Sequence, residues 1–327
     1  ISSWDIADVT DFGTNFMREQ TLSTANYDAL LIAWDGQSVQ SGLTLDFGNS
    51  IYTGGGTAAT ARANLISENA WTITDGGALV PDFTNTYSLE FDGVDDELVC
   101  GTATWDYGTF AVWVKTTDTG WGYLLTKAGS WGDDKLFYIA LSDGRFRMRH
   151  PIRGGLNNNV GSSGDLNDGN WHHVVVVVSG GSGDAAATIK VYFDGVLQET
   201  FTNTGQTYTN NVDDACGIGY YNAWNRYEGN LDEVSIWNNA VLDDDAVTAI
   251  YNSGTPIDLS SDSGDYDNSG DLTNWWRMGD PDGTSEYPTI EDVSGSLDGT
   301  MTNMASGDIV EDVPEAVFAN TYSLEFD

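Results

Sequence analysis

Glu90, Asp92 and Asp95 are three of the four carboxylates in the run Leu89-Glu-Phe-Asp-Gly-Val-Asp-Asp96. Hydrolysis of a glycosidic bond needs two carboxyl groups facing the scissile bond, about 5–5.5 Å apart for a retaining reaction. Gly93 sits inside the triplet and turns the chain, so strand alternation does not aim the three acids at one point. Catalysis is not expected. The same acids suit a different chemistry. Calcium takes about 6–8 oxygens from carboxylates, carbonyls and water. Asp232 lies in a strand near the end of the same segment, where first and last strands of a sandwich often run side by side. Asp92, Asp95 and Asp232 are therefore the expected metal ligands and calcium the expected ion. The plainer reading is a hydrogen-bonded turn Asp and two solvated acids.

Two further groups point to recognition. Arg145, Arg147 and Arg149 alternate with Phe146 and Met148, so a strand places all three guanidiniums on one face, with Arg153 just beyond. Such a stripe suits the sulfate or carboxylate groups of a glycan; its bland role is to neutralise neighbouring acids. Tyr220-Tyr-Asn-Ala-Trp-Asn-Arg-Tyr227 concentrates aromatics and amides in a loop, and Trp131 lies in another. Aromatic faces stack on sugar C–H surfaces while amides bond hydroxyls. Trp131, Tyr221, Asn222, Trp224 and Asn225 join the three arginines as the expected ligand-binding set, against loop packing or a protein interface. The three histidines build nothing further: His172 and His173 are adjacent in a strand and face opposite ways, and no Ser/His/Asp or Cys/His constellation appears.

The remaining composition narrows the class. In 327 residues there are 50 acids and 12 Lys+Arg, a net charge of −38. That surface repels nucleic acid and anionic lipid. Cys100 and Cys216 are the only cysteines, too few for a disulfide scaffold or zinc site; they form one bridge in an oxidising compartment or remain two buried thiols. The longest apolar run, Val174–Val178, is strand-length, so no membrane-spanning segment is expected, and any targeting signal is expected outside this chain.

Positioning these groups requires strands. From Asn85 to about Ala240, runs such as Thr109–Lys115, Lys135–Ala140, Trp171–Val178 and Ile189–Phe193 are separated by Gly/Asp/Ser/Asn turns, with Asp194-Gly195 a hairpin signal. An antiparallel sandwich follows, closed by a helix over about Leu242–Tyr251. Residues 1 to 78 read as mixed α/β, with a helix after Ser23, a strand over Leu43–Phe47, a second helix over about Thr57–Glu68 and a strand over Trp71–Thr74. Residues 256 to 317 are rich in Asp, Ser and Gly with a single base, Arg277, yet Trp275–Met278 and Gly299–Thr302 look like strands. Phe83–Asp92 recurs as Phe318–Asp327 with one change, Thr84 against Ala319, which marks tandem modules in a longer chain.

The central segment resembles the LamG-type concanavalin A-like domain. Leu89–Asp96, Phe110–Lys115, Asn170–Val174, Tyr192–Gly195 and Gly229–Trp237 followed by Asn239–Leu242 carry the resemblance in order. It implies a jelly-roll sandwich, frequent calcium binding, and glycan or protein ligands. Glu90, Asp92 and Asp95 are also similar in spacing to the acid triplet of family-16 glycoside hydrolases, which share the fold. Ile1–Thr10 resembles a unit of BspA-like surface leucine-rich repeats, and Leu22–Gly77 is similar to the segment that ends such arrays. Asp265-x-Asp267-x-Ser269-Gly270-Asp271 resembles the start of an EF-hand loop, but Trp276 stands where the closing Glu belongs.

The chain thus reads as mainly β: residues 1–78 the end of a BspA-like repeat array, 79–255 an antiparallel jelly-roll β-sandwich, 256–327 an acidic connector and truncated lead-in of a second sandwich. The expected function is non-catalytic, extracellular adhesion or recognition on a cell or virion surface, with glycans or surface proteins as partners. The alternative is a structural fibre or decoration component, self-associating into oligomers; a glycoside hydrolase is a distant third.

Overall fold

The computed structural model describes residues 4–13, 16–18, 20–53, 56–79, 83–105, 107–128, 136–149, 166–180, 186–204, 214–221, 225–281 and 283–315. The chain divides into two compact units, Ile1–Phe83 and Thr84–Asp327.

In the first unit, α1 (Thr24–Asp35) buries Tyr27, Leu30, Leu31 and Trp34, the positions that helical spacing puts on one face. Between α1 and α2 (Gly56–Ser67) lie β1 (Thr44–Asp46) and β2 (Tyr52–Thr53); after α2 come β3 (Thr72–Thr74) and β4 (Ala78–Leu79). β1 pairs with β3 and β2 with β4, both in parallel. Asp75 anchors the unit: Arg62 Nε reaches it at 2.8 Å and the Tyr27 hydroxyl donates to it at 2.6 Å.

The second unit is the expected antiparallel sandwich. Its strands in chain order are β5 (Ser88–Asp92), β6 (Glu97–Ala103), β7 (Gly108–Lys115), β8 (Trp121–Ala128), β9 (Phe137–Ser142), β10 (Arg145–Arg149), β11 (His172–Ser179), β12 (Ala186–Phe193), β13 (Val196–Thr204), β14 (Asp214–Ile218) and β15 (Glu228–Asn238). After α3 (Asp244–Tyr251) come β16 (Asn274–Trp276), β17 (Thr289–Ile290), β18 (Gly299–Thr302) and β19 (Ile309–Val310). One sheet runs β10-β9-β8-β14-β6-β18-β17; the other runs β13-β12-β11-β7-β15-β5-β19, with β16 also paired to β15. Two hairpins turn on Asp-Gly pairs with positive φ at both residues, Asp143-Gly144 and Asp194-Gly195, the geometry that matches strand twist.

Alternation assigns the faces. Phe110, Val112 and Val114 of β7 and Val174, Val176 and Val178 of β11 enter the common core, with Phe137, Ile139, Phe146 and Met148 opposite. α3 begins where the Asp243 side chain accepts the Ala246 N–H at 2.9 Å, two residues beyond the start expected from sequence.

The acidic segment after Thr255 contributes four strands to these sheets. β16 pairs with β15, β18 with β6 and β19 with β5, and Trp276, Met278, Ile290, Met301, Met304 and Ile309 enter the sandwich core. Trp276 is fully buried and donates to the Leu297 carbonyl at 2.8 Å. The aromatic and Met residues interleaved with the acids make this possible: most of the acids face water while the apolar positions cross into the core, and the buried acids Asp280 and Asp292 accept hydrogen bonds from Thr86 N–H and from Asn274 Nδ2 and Trp275 N–H.

Candidate functional site

The outer face of the seven-stranded sheet gathers the recognition chemistry. On β10 the core takes Phe146 and Met148, so Arg145, Arg147 and Arg149 stand on the other side. The register then sets rows across the sheet. Arg147 pairs with Ala140, which pairs with Tyr123; Arg145 pairs with Ser142, which pairs with Trp121; Arg149 pairs with Tyr138. Tyr123, Leu136, Tyr138 and Ala140 form a second apolar cluster on this face, with Trp121 and Tyr221 packed against it. Tyr123 and Tyr138 meet edge to face at 5.2 Å, and Tyr221 lies on Tyr123 at 5.3 Å. An aromatic floor thus borders a basic edge strand.

Burial and the neighbouring arginines set the electrostatics of this face. Burial pushes the Tyr123 phenol up to about 12, reinforced by Tyr138 and Tyr221. Burial also raises the Tyr138 and Tyr221 phenols, while Arg149 pulls both down and Arg147 the former. Among the described residues Arg145 and Arg147 form no ion pair. The buried Nη1 of Arg147 has no hydrogen-bond partner among the described residues. A buried donor without a partner costs about 1–3 kcal/mol, so an acceptor delivered by a ligand is favoured here.

The sequence-derived set is only partly brought together. Tyr221 joins the arginine face but is half-buried against Tyr123 rather than free in a loop. Asn225 is exposed, in a left-handed conformation at φ 65°, close enough to help hold down the Tyr123 phenol. Trp131, Asn222 and Trp224 lie outside the described residues. Trp121, Tyr123 and Tyr138 were not among the sequence candidates. Their signal was faint, because Phe137-Tyr-Ile-Ala140 is apolar on both faces and hides its own alternation.

The acids form two sites, not one. Asp92, Asp95 and Asp96 each bring a carboxylate oxygen within 4.8 Å of the others. Burial pushes Asp96 up to about 6, with Asp92, Asp308 and Asp95 adding to it. Asp92 Oδ1 accepts the Val94 N–H at 2.7 Å, and Asp96 Oδ2 accepts the Asp92 N–H at 2.9 Å. Asp232 is elsewhere. β5 pairs Asp92 with Glu228, and Asp232 lies four residues further along β15, beyond the end of that pairing. It is fully buried, accepts Asn85 Nδ2 at 2.8 Å, and precedes Glu233, whose φ of 47° marks the bulge where β15 changes partner from β5 to β16. Glu233 accepts Trp275 Nε1 at 2.5 Å and Arg277 Nε at 3.2 Å. Burial raises both carboxyls: Asp232 well above the usual range, with Glu233 adding to it, and Glu233 to about 7 even though Arg277 and the Trp275 hydrogen bond pull it down.

Glu90 and Asp92 line a different cleft, of about 310 Å³, with Lys115, Thr116, Glu228 and Asn230. Asp95 is not part of its wall. Asp265, Asp267 and Asp271 make no comparable cluster among the described residues. His172 contacts Asp194 and Asp168, while His173 is buried against Trp113 and Tyr251, and burial drives it down to about 3.

Comparison with known proteins places residues 83–247 on the Laminin_G_3 family model, described as the concanavalin A-like lectin/glucanases superfamily. Similar solved structures include a heptameric SAP-like pentraxin from Limulus polyphemus, at 20% identity and TM-score 0.37 over 51% of this chain and 82% of that one. The CBM40 of the Ruminococcus gnavus IT-sialidase aligns at 14% identity and TM-score 0.38 over 50% of this chain and 96% of that one. Domains LG4-5 of the mouse laminin alpha1 chain align at 18% identity and TM-score 0.34 over 50% and 44%. No curated protein matches. No helix among the described residues is long and apolar enough to cross a membrane.

Proposed function

This chain belongs to the concanavalin A-like lectin/glucanases superfamily, and from that premise we propose that it is a non-catalytic extracellular recognition protein that binds acidic glycans on the outer face of its seven-stranded sheet. Arg145, Arg147 and Arg149 take the carboxylate or sulfate groups, and Trp121, Tyr123, Tyr138 and Tyr221 carry the sugar rings. The observation behind this reading is the cross-strand row Arg147–Ala140–Tyr123 with an unpartnered Arg147 Nη1. On a chain with 50 acids and 12 Lys+Arg, three adjacent guanidiniums on one strand face are out of keeping with the average surface. Guanidinium forks match carboxylate and sulfate oxygens in pairs.

The test is an array of neutral, carboxylated and sulfated oligosaccharides. Retention is expected on the acidic sugars only. The fibre alternative expects no sugar retained and self-association in its place. A retained polysaccharide should remain intact on long incubation; cleavage that disappears in Glu90→Gln would establish a hydrolase instead.

Calcium fits the Asp92, Asp95 and Asp96 cluster, since hard carboxylate oxygens at one turn are the donors it prefers. The ion would offset the mutual repulsion of these acids and tie β5 to β6. A ligand that binds only the folded state stabilises it by about 2.7 kcal/mol at a hundredfold excess over Kd. The expected result is a higher melting temperature in millimolar calcium than in chelator, and no difference in Asp95→Asn. Equal melting temperatures for the unaltered chain would remove the ion.

The N-terminal unit we assign to the end of a BspA-like surface repeat array. Its two parallel ladders, each joining strands on either side of α2, support that reading, because stacked repeats pair like with like. The repeat of Phe83–Asp92 at Phe318–Asp327 supports tandem modules on a cell or virion surface.

A further inference from the structure

Cys100 and Cys216 stand on neighbouring strands of the seven-stranded sheet. The β6–β14 ladder pairs Ala215 with Thr102 and Gly217 with Val99, with a bulge between. The bulge therefore leaves Cys216 across from the Cys100–Gly101 step of β6. Both side chains are fully buried in the common core, where Cys100 Sγ donates to the Leu98 carbonyl at 3.8 Å and lies close enough to the Cys216 thiol for the two to interact. Directly opposed residues of an antiparallel pair have Cα atoms about 4.5–5.5 Å apart. A disulfide spans Cα separations of about 4.4–6.8 Å, a range that brackets the spacing of neighbouring antiparallel strands and leaves room for the offset of the bulge.

We infer that Cys100 and Cys216 are a pre-aligned dithiol that a small-molecule disulfide converts into a cross-strand bridge between β6 and β14. The step balances as two exchanges. One cysteine thiolate attacks a sulfur of the small disulfide, forming a mixed disulfide and releasing one small thiol. The second cysteine's thiolate then attacks the protein sulfur of that mixed disulfide, forming the Cys100–Cys216 bond and expelling the other small thiol. The protein gives up two protons and two electrons; the small disulfide takes them up as two thiols. Both side chains are sealed from water, and burial holds the Cys100 thiol well above its ordinary range, so the native sheet resists attack. The exchange belongs to folding, or to moments when β14 parts from β6. The bridge would then be laid down as the protein matures in an oxidising compartment and be shielded from reductants afterwards. This inference is independent of the glycan reading.

The bond would also join sites far apart in sequence. Between them run β7 to β13, and constraining so long a loop in the unfolded chain raises stability.

The test refolds the full chain with a mixture of oxidised and reduced glutathione, alkylates it in denaturant, and maps its peptides. The expected result is a single peptide pair joined through Cys100 and Cys216, no alkylated cysteine, and a melting temperature on the order of 10 °C above that of the same chain held in reductant. Cys216→Ala is the matched control, with equal melting temperatures in both conditions. Full alkylation of both thiols, persistent glutathione adducts, or a bridged chain that melts no higher than the reduced one would overturn the inference. The mapping uses the unaltered chain, so it decides the question even if Cys216→Ala does not fold.

Discussion

Replacing Trp276 by alanine is expected to cost the sandwich about 3–5 kcal/mol, which lowers its melting temperature by roughly 10 °C or more for a unit of this size. The indole is fully buried in the common core and its N–H is held by the Leu297 carbonyl. Alanine leaves a cavity and removes the donor that the half-buried Leu297 carbonyl accepts. The effect reaches further than one side chain, because Trp276 sits on β16, which takes over the edge of β15 where β5 ends. If residues after Thr255 merely hung from a finished sandwich, the same substitution would leave the melting temperature within a degree or two. Chemical denaturation monitored by near-ultraviolet circular dichroism separates these results.

Asp232→Asn is expected to act in the opposite direction, raising stability by about 1–3 kcal/mol at pH 8, measured in chelator. Asp232 and Glu233 are adjacent, buried, and both favour their protonated forms. A carboxyl whose folded pKa is raised contributes stability that is full below its unfolded value, near 4, and is lost as pH climbs through the folded value. For Glu233 that value is about 7. Each unit of raised pKa is worth about 1.4 kcal/mol. The introduced amide would keep an acceptor for the Glu233 N–H, which Asp232 now accepts at 2.8 Å. It would also donate to Asn85 Oδ1, which has no partner, once the Asn85 amide turns over. Stability of the unaltered chain should fall between about pH 5 and 8, and the variant should fall less. Parallel pH profiles for the two proteins would show that the charge at Asp232 carries no such cost.

What could be read from the sequence was what alternation and turns encode locally. The run Arg145–Arg149 declared its two faces because charged and apolar residues strictly alternate, and Phe146 and Met148 do enter the core. Asp194-Gly195 declared its hairpin for the same kind of reason. The aromatic floor was not legible in that way. Tyr123 and Tyr138 sit in strands whose neighbours are apolar on both sides, and only the β8–β9–β10 register lines them up with the arginines. Asp232 illustrates a second limit. Nearness of first and last strands is a sound expectation, and β5 does pair with β15. A four-residue displacement along the strand nonetheless separates Asp232 from the turn, and a bulge at Glu233 then turns it toward Asn85. Residues 256–315 illustrate a third: their acid content suggested a connector, while the sparse apolar positions Trp276, Met278, Ile290, Met301 and Ile309 were enough to bring the segment into both sheets.

The basic and aromatic outer face carries the proposed recognition, and one titration bears on it most directly. An acidic oligosaccharide retained on the array would be titrated calorimetrically into the unaltered chain, Arg147→Ala and Tyr123→Ala, each checked for an unchanged fold by circular dichroism. A desolvated Arg or aromatic contact at a binding centre is worth about 2 kcal/mol or more, so each substitution is expected to weaken binding by roughly thirtyfold or more. Binding of unaltered strength by both folded variants would contradict this assignment and move recognition away from the face.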